Sequence, residues 1–139
     1  MFGRFSTDAA TDPTAQGLHW GGTEYKQFLK TTQVPKLSGT WLTIDEQADS
    51  INDGFFINSP GASSWSDLPA SYHNGACGFS FADGHSEVKK WKSATSLFPV
   101  QIGSSGSKNF DAAGQNDFAW YLQRTGYIRV STGQPQFGY

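Results

Sequence analysis

The clearest alternation of small, polar and apolar positions lies between Gly78 and Trp91. From Gly78 to Ala82 small residues alternate with phenylalanines, Asp83-Gly84 interrupts the pattern, and Ser86 to Trp91 resumes an extended run. Asp-Gly tolerates positive φ at both central positions of a tight turn, so the stretch predicts a β-hairpin with a two-residue loop. In that register Ala82 faces His85, Phe81 faces Ser86, Ser80 faces Glu87 and Phe79 faces Val88. Phe79, Phe81 and Val88 then share one core-facing side. Cys77 alternates with the two phenylalanines and reads as a small buried hydrophobe.

Weaker patterns surround the hairpin. Trp41 to Ile44 and Gly54 to Asn58 predict strands flanking a polar turn. Tyr25, Phe28, Leu29 and Thr32 fall at helical spacing in a segment that Val34-Pro35 ends, with strand as the competing reading. Asn116 or Asp117 can cap a short helix that runs to Arg124 and closes at Gly126. Residues 1–22, 103–108 and 131–139 are rich in Gly, Ser, Thr and Asp or Gln and predict irregular chain. The expected fold class is α+β: a mostly antiparallel sheet with a central hairpin and few, short helices, in one domain over residues 1–139.

Composition changes this picture in one respect. With 139 residues, 37% hydrophobic and 15% aromatic, the chain has enough apolar surface for one core, but aromatic side chains must dominate its packing. Net charge is −2 with 16% charged residues, so there is no basic footprint for nucleic acid and no polybasic membrane patch. The single cysteine cannot form an internal disulfide and says little about compartment. Met1 to Trp20 holds no basic region followed by an apolar run, so no signal peptide or spanning segment is readable.

Three stretches carry candidate chemistry. Asp45, Glu46, Asp49, Asn52 and Asp53 offer oxygen ligands of the kind Ca²⁺ takes, although their spacing differs from an EF-hand loop. The competing reading is a solvated turn whose side chains cap local amides. His73, Asp83 and His85 are the alternative metal set, suited to Cu, Zn or Fe. An extended chain rises about 3.3 Å per residue, so His73 and Asp83 meet only if the chain bends at Asn74-Gly75 or Gly78. Otherwise His73 anchors one end of the hairpin and Asp83-Gly84 closes the other. A small metalloenzyme using His73, His85 and nearby carboxylates is one functional alternative, but no HExxH, paired cysteines or nucleophile elbow accompanies them. Glycan or polysaccharide binding is another: Trp20, Trp65 and Tyr72 stand beside Gly and Ser, and sugar rings pack on exposed aromatic faces. Most of the 21 aromatics are nevertheless needed for the core.

The spelling His73-x9-Asp83-Gly84 resembles the H-X9-DG signature of a large family of prepilin-type, pseudopilin-like bacterial proteins. Two further stretches, Trp41 to Phe56 and Gln115 to Thr125, fit the same family in the same order. The chain departs from it at Gln47-Ala48, where members often carry a longer or charged residue and a proline. It also lacks the cleavage site and long apolar helix with which a complete prepilin-type protein begins. The resemblance therefore implies the globular C-terminal part of such a protein, either cut from a longer chain or a stand-alone relative without the anchor. It implies a non-catalytic assembly or interaction role outside the cytoplasm, with other pseudopilin-like subunits or surface components as partners, no membrane insertion by this chain, and by analogy a loop ordered by calcium.

Overall fold

The Asp83-Gly84 reversal forms, but its loop has three residues rather than two. In the computed structural model, which describes residues 28, 30–103 and 106–126, strand β2 (Ala76–Phe81) pairs antiparallel with β3 (Ser86–Lys90). Phe81 N donates to His85 O at 2.9 Å and Gly84 N to Phe81 O at 3.0 Å, so Ala82, Asp83 and Gly84 make the turn. Only Gly84 has positive φ, at 93°, which is the left-handed residue that closes a three-residue hairpin loop. The extra loop residue moves the register by one: Val88 faces Gly78, and Phe79 faces Glu87. Val88 therefore leaves the expected core side and is 69% exposed.

Strand β1 (Trp41–Ile44) pairs with the other edge of β2 to give a three-stranded antiparallel sheet in the order β1-β2-β3. Trp41 faces Phe81 and Ile44 faces Phe79, with a bulge at Leu42 that puts Trp41 and Ile44 on the same side despite their odd spacing. Thr43 and Ser80 bond through their hydroxyls on the opposite face.

The expected strand at Gly54 to Asn58 is irregular. Phe55 keeps a single bridge position, and several backbone groups bond to side chains: Phe55 N donates to Asp53 Oδ1, Ile57 N to Asp67 Oδ2, and Asn58 bridges Ser66 N and Asp67 O. The helix α1 (Ala112–Leu122) starts earlier than the sequence suggests. Asp111 caps it, its Oδ1 accepting from Gly114 N at 2.6 Å. Asp117 instead faces inward, where its Oδ2 accepts from Lys92 N at 2.8 Å and Ser93 N at 3.0 Å. Gly126 follows the helix with φ 70°, as expected of a closing glycine. The expected helix or strand around Thr23 to Thr32 lies largely outside the described residues, and Thr31–Gln33 forms a single 3-10 turn.

Phe118, Tyr121 and Leu122 of α1 pack against Trp41, Phe56, Trp65, Phe79, Phe81 and Trp91 in one cluster. Trp65 sits at its centre, with ring centroids of Phe118 at 4.9 Å, Tyr121 at 5.4 Å, Trp91 at 5.6 Å and Phe110 at 5.7 Å. Most of these are tilted or edge-to-face contacts, each worth about 0.5–1.5 kcal/mol beyond the area buried. Cys77 is fully buried in the same cluster. Among the described residues the sheet thus has a covered side, under α1, and a more open side formed by the half-buried Thr43 and Ser80 and the exposed Ser86 and Val88, with the Asp45 carboxylate lying over Gly78.

Candidate functional site

At the start of β2 the chain reverses through Asn74 (φ 53°) and Gly75 (φ 77°), the paired left-handed positions of a type I′ turn. His73 N donates to Ala76 O across it. This fixes His73 beside the end of β1. There the segment Leu68 to Ala70 runs alongside the continuation of β1, Ala70 N donating to Asp45 O at 3.0 Å and Gln47 N to Leu68 O at 2.9 Å. The Cys77 thiol also donates to Asp45 O, at 3.2 Å, and burial pushes this thiol up to about 12, so it remains protonated and unreactive.

Backbone alternation then sends Asp45 and Glu46 to opposite sides. Asp45 Oδ2 accepts from Gly78 N at 3.2 Å and lies 3.5 Å from His73 Nε2, both side chains being open to solvent. A Cβ at position 78 would stand 2.6 Å from that oxygen, so glycine is what lets the carboxylate lie against β2. Glu46 is only 8% exposed. Its Oε1 accepts from the Ser50 hydroxyl at 2.9 Å, while Ser50 Oγ accepts from Leu68 N at 2.8 Å. Glu46 Oε2 has no hydrogen-bond partner among the described residues. Burial, with the negative charges of Asp67 and Asp53 nearby, raises the Glu46 carboxyl to about 7 against the opposing Ser50 hydrogen bond.

Tyr72 spans the corner. Its hydroxyl accepts from Ala48 N at 2.5 Å and donates to Glu46 O at 3.4 Å, with the side chain 49% exposed. Ile44, Asp45, Glu46, Ile51, Gly54, Tyr72 and His73 together line an open cleft of about 500 Å³.

The other acidic residues of this corner turn elsewhere. Asp49 accepts from Gln101 N at 2.6 Å, Gln47 Nε2 at 2.9 Å and Gly103 N at 3.4 Å, which holds its carboxyl below the ordinary value. Asp53 accepts from Phe55 N at 2.7 Å, and Asn52 is exposed. Each of these carboxylates answers its own backbone amides, and no group of three His, Cys, Asp or Glu side chains able to hold a metal occurs among the described residues. The five-residue calcium set is therefore not assembled. The His73, Asp83 and His85 set is not assembled either, because the two histidines stand at opposite ends of β2.

His85 has its own partners. Its Nδ1 lies 2.5 Å from Asp83 Oδ1, its Nε2 lies 3.5 Å from Glu87 Oε1, and its ring stacks on Phe81 at 4.3 Å. The Asp83 hydrogen bond raises the His85 pKa and lowers that of Asp83. Of the three aromatics expected to meet a ligand, Trp20 lies outside the described residues. Trp65 is 1% exposed and donates its indole N–H to Ser96 Oγ at 3.1 Å, so it serves the core and meets no sugar. Tyr72 borders this cleft.

Sequence spacing missed Ile51 as a wall of this cleft and the meeting of Asp45 with His73. The signal for the second was Gly78, a residue without a side chain inside an otherwise filled strand. Comparison with family models, with curated proteins and with solved structures returns no match. No helix among the described residues is long and apolar enough to cross a membrane.

Proposed function

We propose that this chain is a non-catalytic interaction and assembly domain of pilin-like architecture, working outside the cytoplasm with pseudopilin-like subunits or other surface components. The observation that carries the reading is the division of the sheet. One side is sealed by α1 and the aromatic cluster, whereas the other presents Thr43, Ser80 and Ser86 around a Val88 that is 69% exposed. Small side chains on a sheet allow another backbone or helix to approach closely, and an exposed valine among them is an apolar anchor with no role in this chain's own core. The order of the blocks carrying the family resemblance adds to the same reading. Catalysis gains no support, since the histidine-carboxylate pairs lie apart and Cys77 is buried and protonated. Glycan binding loses one of its three aromatic residues with Trp65 in the core.

Sedimentation velocity of the purified chain mixed with pseudopilin-like subunits of the same source tests this. The expected result is a complex with at least one subunit that Val88→Asp weakens at least tenfold. Absence of a complex with every subunit, or a complex indifferent to Val88→Asp and Ser80→Arg, overturns it.

A further inference from the structure

The two edges of the sheet differ in cover. At β1, Trp41 N donates to Arg124 O at 3.1 Å, and beyond the strand's end Gln47 N donates to Leu68 O at 2.9 Å, so neighbouring chain lies along that edge. At β3 the pattern of bonds leaves the outer edge open. Phe81 N donates to His85 O and Trp91 N to Gly75 O, both at 2.9 Å, and the ladder between them keeps one register. Glu87 and Lys89 therefore also turn their backbone groups toward β2, and the alternate residues Ser86, Val88 and Lys90 turn theirs outward. The bond from Asp45 N to Gly78 O agrees with this alternation, since Gly78 stands opposite Val88 yet gives its carbonyl to the other side. Among the described residues nothing bonds to the outward N–H and C=O groups of Ser86, Val88 and Lys90, and all three residues are exposed.

An open edge accepts a further strand, and lysines on it ward that strand off when they meet their own kind. The order Ser86-Glu87-Val88-Lys89-Lys90 avoids this in the antiparallel register that overlaps the whole of β3 with β3 of a second copy. With Val88 opposite Val88, Glu87 of each copy stands opposite Lys89 of the other, and Ser86 stands opposite Lys90. Every outward N–H and C=O then meets a partner, because the residues that point outward are the ones that face each other. Sliding the copies by two residues either way puts Lys89 against Lys89 or Glu87 against Glu87, and like charges directly opposite destabilise a pair. Lys89 is also held in place beforehand. Its Nζ lies 3.4 Å from Asp117 Oδ1 and 5.2 Å from the centre of the Trp120 ring, so pairing immobilises little that was free.

We propose that the outer edge of β3 is a homodimer interface, at which two copies of this chain pair β3 with β3 antiparallel about Val88 and join their three-stranded sheets into one. The interface is isologous, each copy offering the same residues to the other. The two Val88 side chains meet on the open face. The Glu87 and Lys89 pairs lie on the other face, the one that carries Phe79 and Trp91. A contact of one short strand with another is small, which places the dimer in the class of weak, reversible association. Its ion pairs are reached by solvent, so salt loosens it. The edge pairing needs no pseudopilin-like subunit, and it leaves the rest of the open face uncovered.

Sedimentation velocity of the whole chain by itself, at concentrations up to about 1 mM, with amide hydrogen exchange read by NMR on the same samples, tests this. The expected result is a monomer–dimer equilibrium in which exchange at the Ser86, Val88 and Lys90 amides slows about tenfold as the dimer fills. Val88→Pro removes an outward N–H that no bond within the chain uses, and it abolishes the dimer. Glu87→Lys changes an exposed side chain on the face away from Val88 and weakens the dimer about tenfold, since each lysine then meets a lysine. A chain that stays monomeric throughout, a dimer whose edge amides exchange at the monomer rate, or a dimer indifferent to either substitution overturns the proposal. Because the chain is alone in these samples, the outcome does not depend on whether it also binds pseudopilin-like subunits.

Discussion

At each end of β2 a histidine meets an aspartate, and the two pairs differ in everything except residue type. The pair at the hairpin loop is local: Asp83 and His85 are two residues apart, bonded at 2.5 Å, with the imidazole stacked on Phe81. Its work is to close a turn. The pair at the other end joins Asp45 and His73, which are 28 positions apart, across a longer 3.5 Å contact, and it forms one wall of a cleft. The tight pair spends its hydrogen bonds on its own loop, whereas the looser one stands next to Glu46, whose Oε1 accepts from Ser50 while its buried Oε2 has no partner among the described residues.

The largest expected effect separates the ends by pH. Glu46 lies at the His73 end and its carboxyl is raised from 4.5 to about 7. Below pH 4.5 it is protonated in both the folded and the unfolded chain. As pH rises from there to about 7 the unfolded chain releases the proton first, so stability falls, and it levels off above 7. The fall should amount to about 2 kcal/mol after allowance for solvent at the cleft mouth, read as urea midpoints across that range. Glu46→Gln should remove most of it; an unchanged slope in that variant would erase the distinction between the ends.

A smaller effect belongs to the loop end. Gly84 has φ 93°, and nothing lies within 4 Å of the point a Cβ would occupy there, so Gly84→Ala adds backbone strain without a clash. A loss of about 1 kcal/mol in a thermal or urea melt is expected, with the Asp45 to Tyr72 amide resonances unmoved. The smallest effect is the titration of the loop pair itself. The His85 pKa is raised, so its contribution is present below 6.5 and is lost as pH climbs through the folded value. The Asp83 pKa is lowered, so its contribution is present above 3.8 and is lost as pH falls through the folded value. The pair should therefore help most between these limits, and His85→Gln should flatten that weak maximum in melting temperature.

The same comparison explains which parts of the molecule are legible in the sequence. The hairpin is legible because its information is local: an Asp-Gly turn between alternating strands. Its register slips by one because Ala82 joins the loop, a choice made by Gly84 alone taking positive φ, and that slip turns Val88 outward. The strand β1 and the aromatic core also follow from pattern. The segment from Gly54 to Asn58 does not, since beyond one bridge position at Phe55 its amides at Phe55 and Ile57 are taken by the Asp53 and Asp67 side chains. Asp117 resembles a helix cap by its place in the sequence, yet its Oδ2 accepts from the backbone of Lys92 and Ser93 and its Oδ1 faces Lys89 Nζ at 3.4 Å. The cleft is the least legible part. Asp45 reaches His73 only because residues 68–70 lie beside β1 and Gly78 leaves room, and neither condition appears in the spacing of the residues involved.

Cys77 has a practical consequence. It is the chain's only cysteine, buried where β1 and β2 meet, with its thiol held to the Asp45 carbonyl. A thiol-modifying reagent in solution can reach it only when those strands separate. The labelling rate of the native protein therefore counts how often the sheet opens beside the cleft, and it does so without any engineered probe.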